Sequence, residues 1–143
     1  ITKLNKAYKD KTNYIQDKLN HITTNIVKKY GQISVGNVNS QLGLKNKKLA
    51  KTTADHHWFE IKRQLEYKSD WYGSKFALVD EKYTSSTCST CGYQLEKIGL
   101  DVRSWTCDHC GSVHDRDINA ALNIRTVGAT GIAFGKRDNK SLD

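Results

Sequence analysis

Two short stretches decide how this chain is read: Cys88-Ser89-Thr90-Cys91 and Cys107-Asp108-His109-Cys110, followed by His114-Asp115-Arg116-Asp117-Ile118-Asn119-Ala120-Ala121-Leu122-Asn123-Ile124. A two-residue gap lets both sulfurs of a pair reach one metal from a tight turn. The two pairs are separated by residues 92–106, a spacing that belongs to zinc ribbons. Four thiolates suit Zn²⁺, which accepts a closed tetrahedron of sulfur ligands. Gly92 and Gly111 follow the second cysteine of each pair, where the chain must curl with N–H groups turned to sulfur. Cys88, Cys91, Cys107 and Cys110 are therefore the expected zinc ligands. A site closed by four thiolates has no open position, so it is structural rather than hydrolytic. His109 and His114 are expected to be exposed or near-site polar residues.

Working outward, the cysteine count is four and all four lie in the two knuckles. None remains for disulfides, which fits a reducing compartment. The expected location is cytoplasmic, or nuclear in a eukaryote, and not secreted. No run approaches the roughly 18–20 apolar residues needed to span a membrane, so no membrane role is expected. The 143 residues carry a formal net charge of +8, which favours a polyanionic partner. The chain starts at Ile1 and has no methionine, so a fragment or processed piece is expected.

Hydrophobic spacing gives the element order. Residues 4–30 read as an amphipathic helix with Leu4, Tyr8, Ile15, Leu19, Ile22 and Ile26 on its apolar face, stopped near Gly31. Residues 32–38 read as a strand ending near Gly36, and 39–49 as a lysine-bearing loop. Residues 50–72 read as a helix with Trp58 as a core anchor, ended by Gly73. Residues 76–80 read as a second strand, apolar enough to be buried on both faces. Residues 84–113 are the ribbon. A helix over 115–127 turns Ala120, Ala121 and Ile124 inward, and the chain frays after Gly128.

A strand–helix–strand crossover of this length implies a parallel pair. Ligands of parallel sheets gather at the carboxyl ends of the strands. Gly36 and Glu81 lie near those ends.

The segments Tyr83–Gly92, Arg103–Gly111 and His114–Ile124, with Leu65–Gly73 and Lys48-Leu49-Ala50-Lys51, resemble the C-terminal part of TnpB proteins. These are transposon-encoded RNA-guided nucleases related to type V CRISPR effectors and Fanzor proteins. The resemblance covers most of residues 30–126. It implies an α/β fold: a partial RNase H-like (RuvC-type) domain with parallel strands and flanking helices, interrupted by the zinc ribbon. The implied organisation is a RuvC-like portion over 1–83, the ribbon over 84–113, the last RuvC-like helix over 114–127 and a flexible tail over 128–143. It also implies a two-metal DNA endonuclease using Mg²⁺, with guide RNA, target DNA and the upstream part of the same protein as partners.

Carried over by position, Asp117 corresponds to the family's third catalytic acid. The first is an Asp on an upstream strand outside this chain, so the fragment alone is expected to be inactive. The second is a Glu at a strand end, where this sequence has Gly36. Two explanations follow. Glu81 takes over, as in branches with a relocated glutamate, because adjacent strands lie about 4.8 Å apart. Alternatively the protein is a nuclease-dead RNA-guided DNA binder or a degraded transposon remnant. Glu66, mid-helix, is the lesser candidate. Lys47, Lys48, Lys51, Lys62, Arg63, Arg103 and Arg116 are the expected nucleic-acid contacts, with Lys45, Lys68, Lys97 and Arg125 beside them. Trp105 and Tyr83 are expected to pack on the knuckles.

Overall fold

The computed structural model describes residues 2–37, 53–96, 98–99, 101–132 and 134. The lysine-bearing loop, with Lys45, Lys47, Lys48 and Lys51, lies outside the described residues, as does Lys97. The element order is α1 (Thr2–Lys29), β1 (Gln32–Asn37), α2 (Thr53–Tyr72), β2 (Lys75–Asp80), β3 (Ser104–Thr106), β4 (Val113–Asp115) and α3 (Arg116–Thr130). This is the expected α/β order with the ribbon inserted before the last helix. None of the described helices is long and apolar enough to cross a membrane.

β1 and β2 are neighbours in a two-stranded sheet. Lys75 N–H, at the start of β2, donates to Gly31 O just before β1, at 2.8 Å. Gly36 and Glu81 meet at the other ends. Start meets start and end meets end, so the pair is parallel, as the crossover required. β2 is not buried on both faces among the described residues: Leu78 is 50% exposed, and only Val79 is buried. A pair of strands has few neighbours with which to cover two faces.

The chain divides into two compact units, Ile1–Ile33 with Ser40–Phe76, and Ser34–Asn39 with Ala77–Asp143. In the first, α1 packs on α2. The expected apolar face of α1 is covered only in part: Ile15, Leu19 and Ile26 are half-buried. Leu4, Tyr8 and Ile22 are exposed, and the buried residues are Thr23 and Val27. The reason is polar. Thr23 Oγ1 donates to Gln64 Oε1 at 2.7 Å, and Lys68 Nζ donates to Thr23 Oγ1 at 2.8 Å. This network puts a polar contact between α1 and α2 beside the half-buried Leu19 and Ile26.

Lys68 is only 5% exposed, so it is not the surface phosphate contact that the sequence suggested. Its ammonium also donates to Asn20 O and Thr24 Oγ1, at 2.9 and 3.0 Å. Burial pushes its pKa down. Trp58 is 41% exposed and does not anchor the core; Leu65, at 4%, does.

α2 ends at Gly73, whose φ of 74° is the left-handed turn that glycine adopts without a Cβ penalty. Ser74 N–H returns to Ser69 O at 2.9 Å. Ser74 Oγ then donates to Val27 O and Tyr30 O, at 2.7 and 2.8 Å, closing the end of α1.

In the second unit α3 runs past Gly128 to Thr130 rather than stopping at residue 127. Gly128 is a contact point and not a breaker. A Cβ there would overlap Ser34 Oγ and stand 3.4 Å from Val79 Cγ2. The helix stops at Gly131, with φ 72° and its N–H on Val127 O. Its buried face is Asn119, Asn123 and Val127, while Ala121 is exposed.

Candidate metal centre and carboxylate pair

The two knuckles repeat one backbone pattern. Cys88 N–H donates to Tyr93 O at 2.8 Å, and Cys107 N–H donates to Ser112 O at 2.9 Å. Gly92 and Gly111 N–H return to Cys88 O and Cys107 O. Both glycines have positive φ, 77° and 73°, which is why glycine stands there. β3 and β4 form an antiparallel pair that flanks the second knuckle, pairing Trp105 with His114, and β4 runs directly into α3.

The four sulfurs all lie within 4.8 Å of one another. Cys88 Sγ to Cys110 Sγ is 3.7 Å, and so is Cys91 Sγ to Cys107 Sγ. A tetrahedron with Zn–S bonds of about 2.3 Å has edges of about 3.8 Å. The cysteines therefore cluster as a metal site whose dimensions match structural zinc. Among the described residues they are the one group of three or more metal-ligating side chains.

Burial pushes the Cys91 thiol up to about 12, against the pull of the Tyr93 N–H. Burial also raises Cys107, opposed by the Cys110 and His109 N–H groups. The Ser112 hydroxyl, with Sγ–Oγ at 3.2 Å, leads in lowering the exposed Cys110 to about 6, helped by the Ser112 N–H. A divalent cation supplies the positive charge that lets all four ionise together.

Around the sulfurs, Cys88, Trp105 and Cys107 form a small buried core, with Tyr93, Leu95, Ile98 and Val102 packed on it. Trp105 therefore packs on the knuckles as expected. Tyr83 is not in that core: its φ is 65° and the Lys82 ammonium lies 5.1 Å from its ring centre. His109 is exposed and stacks on Tyr93. His114 is buried, with Nε2 3.1 Å from Cys88 Sγ and its ring 4.6 Å from that of Trp105. It stands beside a sulfur of the cluster, where a hydrogen-bond partner would orient a metal-binding thiolate.

Glu81, Asp115 and Asp117 lie in the same unit as the four cysteines. Glu81 follows β2 and is half-buried. A Cβ built on Gly36 would overlap Glu81 Oε1 and come within 2.6 Å of Glu81 Cγ. The carboxylate thus lies over the strand end where Gly36 has no side chain. Asp115 is the N-cap of α3, its Oδ1 accepting from Asp117 N–H and Ile118 N–H, both at 3.0 Å. Asp117 does not cap. Its side chain is 79% exposed and meets Arg103, with Nη1 3.4 Å from Oδ2. Glu66 is exposed on α2.

Among the basic residues, Lys62 is half-buried on α2. Arg63 donates to both oxygens of Glu60, at 2.8 and 2.7 Å. Arg116 Nη1 donates to Gly99 O at 3.3 Å. Arg125 is exposed on α3.

Sequence reasoning missed Asn119 and Asn123. Asn119 Nδ2 donates to Thr87 O at 2.8 Å, and Asn123 Nδ2 donates to Thr84 O and Thr87 O at 2.8 and 2.7 Å. The available signal was their four-residue spacing with Val127, a helical stripe more polar than the alanines beside it.

Residues 58–124 match the family described as Cas12f1-like, TNB domain. The chain is 42% identical over 120 residues to a Streptomyces pristinaespiralis protein named "Putative RNA-guided DNA endonuclease", covering 83% of this chain and 30% of that one. It is 30% identical over 131 residues to TnpB-like protein L79 of Acanthamoeba polyphaga mimivirus, covering 87% and 25%. The chain spans less than a third of the length of these curated relatives. Its fold is similar to that of Cas12f1 in a complex with sgRNA and target DNA, with a TM-score of 0.64, 21% identity, and coverage of 87% of this chain and 36% of that one. CasPhi-2 (Cas12j) bound to crRNA is also similar, with a TM-score of 0.62, 17% identity, and coverage of 92% and 23%. Residues 58–124 therefore belong to the Cas12f1-like TNB domain family, within a chain related to the TnpB-like proteins.

Proposed function

We propose that this chain supplies part of the nuclease centre of an RNA-guided DNA endonuclease, with Glu81 and Asp117 holding Mg²⁺ and the four cysteines holding a structural Zn²⁺. The observation that carries the reading is the Glu81 carboxylate lying over Gly36. That is the strand-end position where the family resemblance expects a glutamate. Carboxylate oxygens suit a hard cation. The partner of Asp117 is a solvent-exposed arginine, and exposed pairs contribute about 0–1 kcal/mol, so a cation displaces it readily.

Bound Mg²⁺ supplies charge stabilisation at the phosphodiester and an activated water. The chain's own residues do the rest. Asp115 takes the helix cap and leaves the Asp117 carboxylate uncommitted to backbone N–H groups. Arg103, Arg116, Lys62 and Arg63 carry positive charge for phosphates, as Lys47, Lys48 and Lys51 do by sequence. A complete two-metal centre needs a further carboxylate. The family resemblance puts it on an upstream strand outside this chain, so residues 1–143 alone are expected not to cleave DNA.

The test uses the full-length protein with its guide RNA and a matching DNA duplex. Glu81→Gln and Asp117→Asn should each reduce cleavage by at least about 100-fold, with guide-dependent DNA binding retained. Unchanged, Mg²⁺-dependent cleavage by Glu81→Gln would remove Glu81 from the centre. The absence of a side chain at Gly36 favours a second reading, a nuclease-silent RNA-guided binder. Guide-dependent binding with no cleavage by the unsubstituted protein would select it.

A further inference from the structure

Asn119 and Asn123 sit one helical turn apart on α3 and are 1% and 3% exposed. Burying an amide in a helix core is unfavourable unless its hydrogen bonds are made. Here they are made in one place. Asn119 Nδ2 reaches Thr84 O at 3.4 Å and Thr87 O at 2.8 Å. Asn123 Nδ2 reaches the same two carbonyls at 2.8 and 2.7 Å. Each side chain spends both amide hydrogens, and each carbonyl receives two donors, which is the capacity of a carbonyl oxygen.

Both clamped carbonyls belong to the turn that follows Glu81. Thr84 donates to Glu81 O twice, from N–H at 3.1 Å and from Oγ1 at 2.7 Å. Thr87 donates to Tyr83 O twice, from N–H at 3.0 Å and from Oγ1 at 2.8 Å. Tyr83 itself has φ 65°, a conformation costly for a tyrosine unless its surroundings hold it. A third strut enters from the first knuckle: Ser89 N–H donates to Asn119 Oδ1 at 2.9 Å. Asn119 follows Asp117 by two residues. The segment bearing one carboxylate is thus bolted to the helix bearing the other, and the same bolt includes the backbone beside Cys88.

We propose that Asn119 and Asn123 are positioning residues that lock the Glu81 turn onto the Asp117 helix and so set the affinity of the two carboxylates for a divalent cation. The proposal rests on the reading of Glu81 and Asp117 as metal ligands. Alanine at either position would keep the helix and release the turn. Aspartate at 119 would keep the acceptor for Ser89 N–H while removing the donor to Thr84 and Thr87. It therefore separates support of the knuckle from support of the turn.

The experiment measures Mn²⁺ binding to the full-length protein with its guide RNA, by the loss of the free-ion electron paramagnetic resonance signal. Zinc content and melting temperature are recorded for every variant. Asn123→Ala and Asn119→Asp should retain zinc at the stoichiometry of the unsubstituted protein and bind Mn²⁺ about 10–100-fold more weakly, the usual effect of losing an outer support. Glu81→Gln and Asp117→Asn should weaken binding at least as much.

Both asparagine variants binding Mn²⁺ within two-fold of the unsubstituted protein, while the carboxylate variants lose it, would reduce the asparagines to ordinary core residues and overturn the proposal. Carboxylate variants that bind Mn²⁺ normally would instead overturn the metal-site reading, and the lock with it. Should Asn123→Ala fail to fold, Asn123→Leu decides, because it keeps the bulk of asparagine and puts no charge against the two carbonyls.

Discussion

The Glu81 carboxylate lies where a side chain at Gly36 would have to begin. The two positions compete for one space at the end of a parallel strand pair. Gly36→Ala therefore displaces Glu81, whose terminal atoms can swing aside, so the cost falls on function more than on folding. We expect a weakening of divalent-cation affinity of about ten-fold or more, with a stability change of about 1 kcal/mol or less. Mn²⁺ titration alongside thermal melting checks both halves. In the reverse direction, Gly36→Glu combined with Glu81→Gly should retain more cleavage than Glu81→Gln alone.

Zinc should be required for the ribbon to fold. Its core is three buried residues, two of them ligands, too small to stand without a staple. Structural zinc in small modules contributes apparent binding free energies of about 10–16 kcal/mol at neutral pH. Chelation should expose Trp105 and red-shift its fluorescence. Retention of the folded emission after the metal is removed would contradict the assignment. Zinc binding should also weaken as pH falls, because the half-buried Cys91, raised to about 12, must lose its proton to bind.

Lys68 should matter for stability and not for nucleic acid. Lys68→Met removes the buried donor that Thr23 Oγ1, Gln64 Oε1 and Asn20 O share. Loss of about 1–3 kcal/mol in urea unfolding is expected. The salt dependence of DNA affinity should be unchanged. Arg103→Gln, by contrast, should flatten that dependence by about one unit of slope if its guanidinium meets a phosphate.

Acid should loosen α1 from α2 through Glu60. Hydrogen bonds from Arg63 first, and then from Gln64 and Gln16, hold its carboxyl at about 2, below the ordinary 4.5. A depressed carboxylate stabilises the fold above its unfolded pKa. Here that support is complete above about pH 4.5 and disappears as pH falls through about 2. Glu60→Gln should remove this part of the acid transition, which a comparison of pH melts would show.

The four-cysteine cluster was legible because it is built locally: two residues of spacing and one glycine define each knuckle. The order of helices and strands was legible for the same reason, since the period of apolar residues changes between elements. Burial was read less well. On α1 the sequence offered six apolar residues; Ile15, Leu19 and Ile26 are half-buried and Leu4, Tyr8 and Ile22 are exposed, while the most buried are Thr23 and Val27, because Gln64 and Lys68 on α2 bond to a polar position there. On α3 it offered Ala121, yet Asn119 and Asn123 turn inward, because two carbonyls in a distant turn need donors. Long-range hydrogen bonds leave no periodic trace of their own. The helix was expected to end at 127 because the close contact of Gly128 with Ser34 lies some ninety residues away in sequence.

The most direct test is a structure of the full-length protein, bound to its guide RNA and target DNA and soaked in Mn²⁺, read for anomalous scattering near residue 81. The account expects a Mn²⁺ peak ligated by both the Glu81 and Asp117 carboxylates, with Asp117 released from Arg103. A peak on Asp117 alone, with Glu81 turned to solvent and Gly36 facing an empty position, would contradict it.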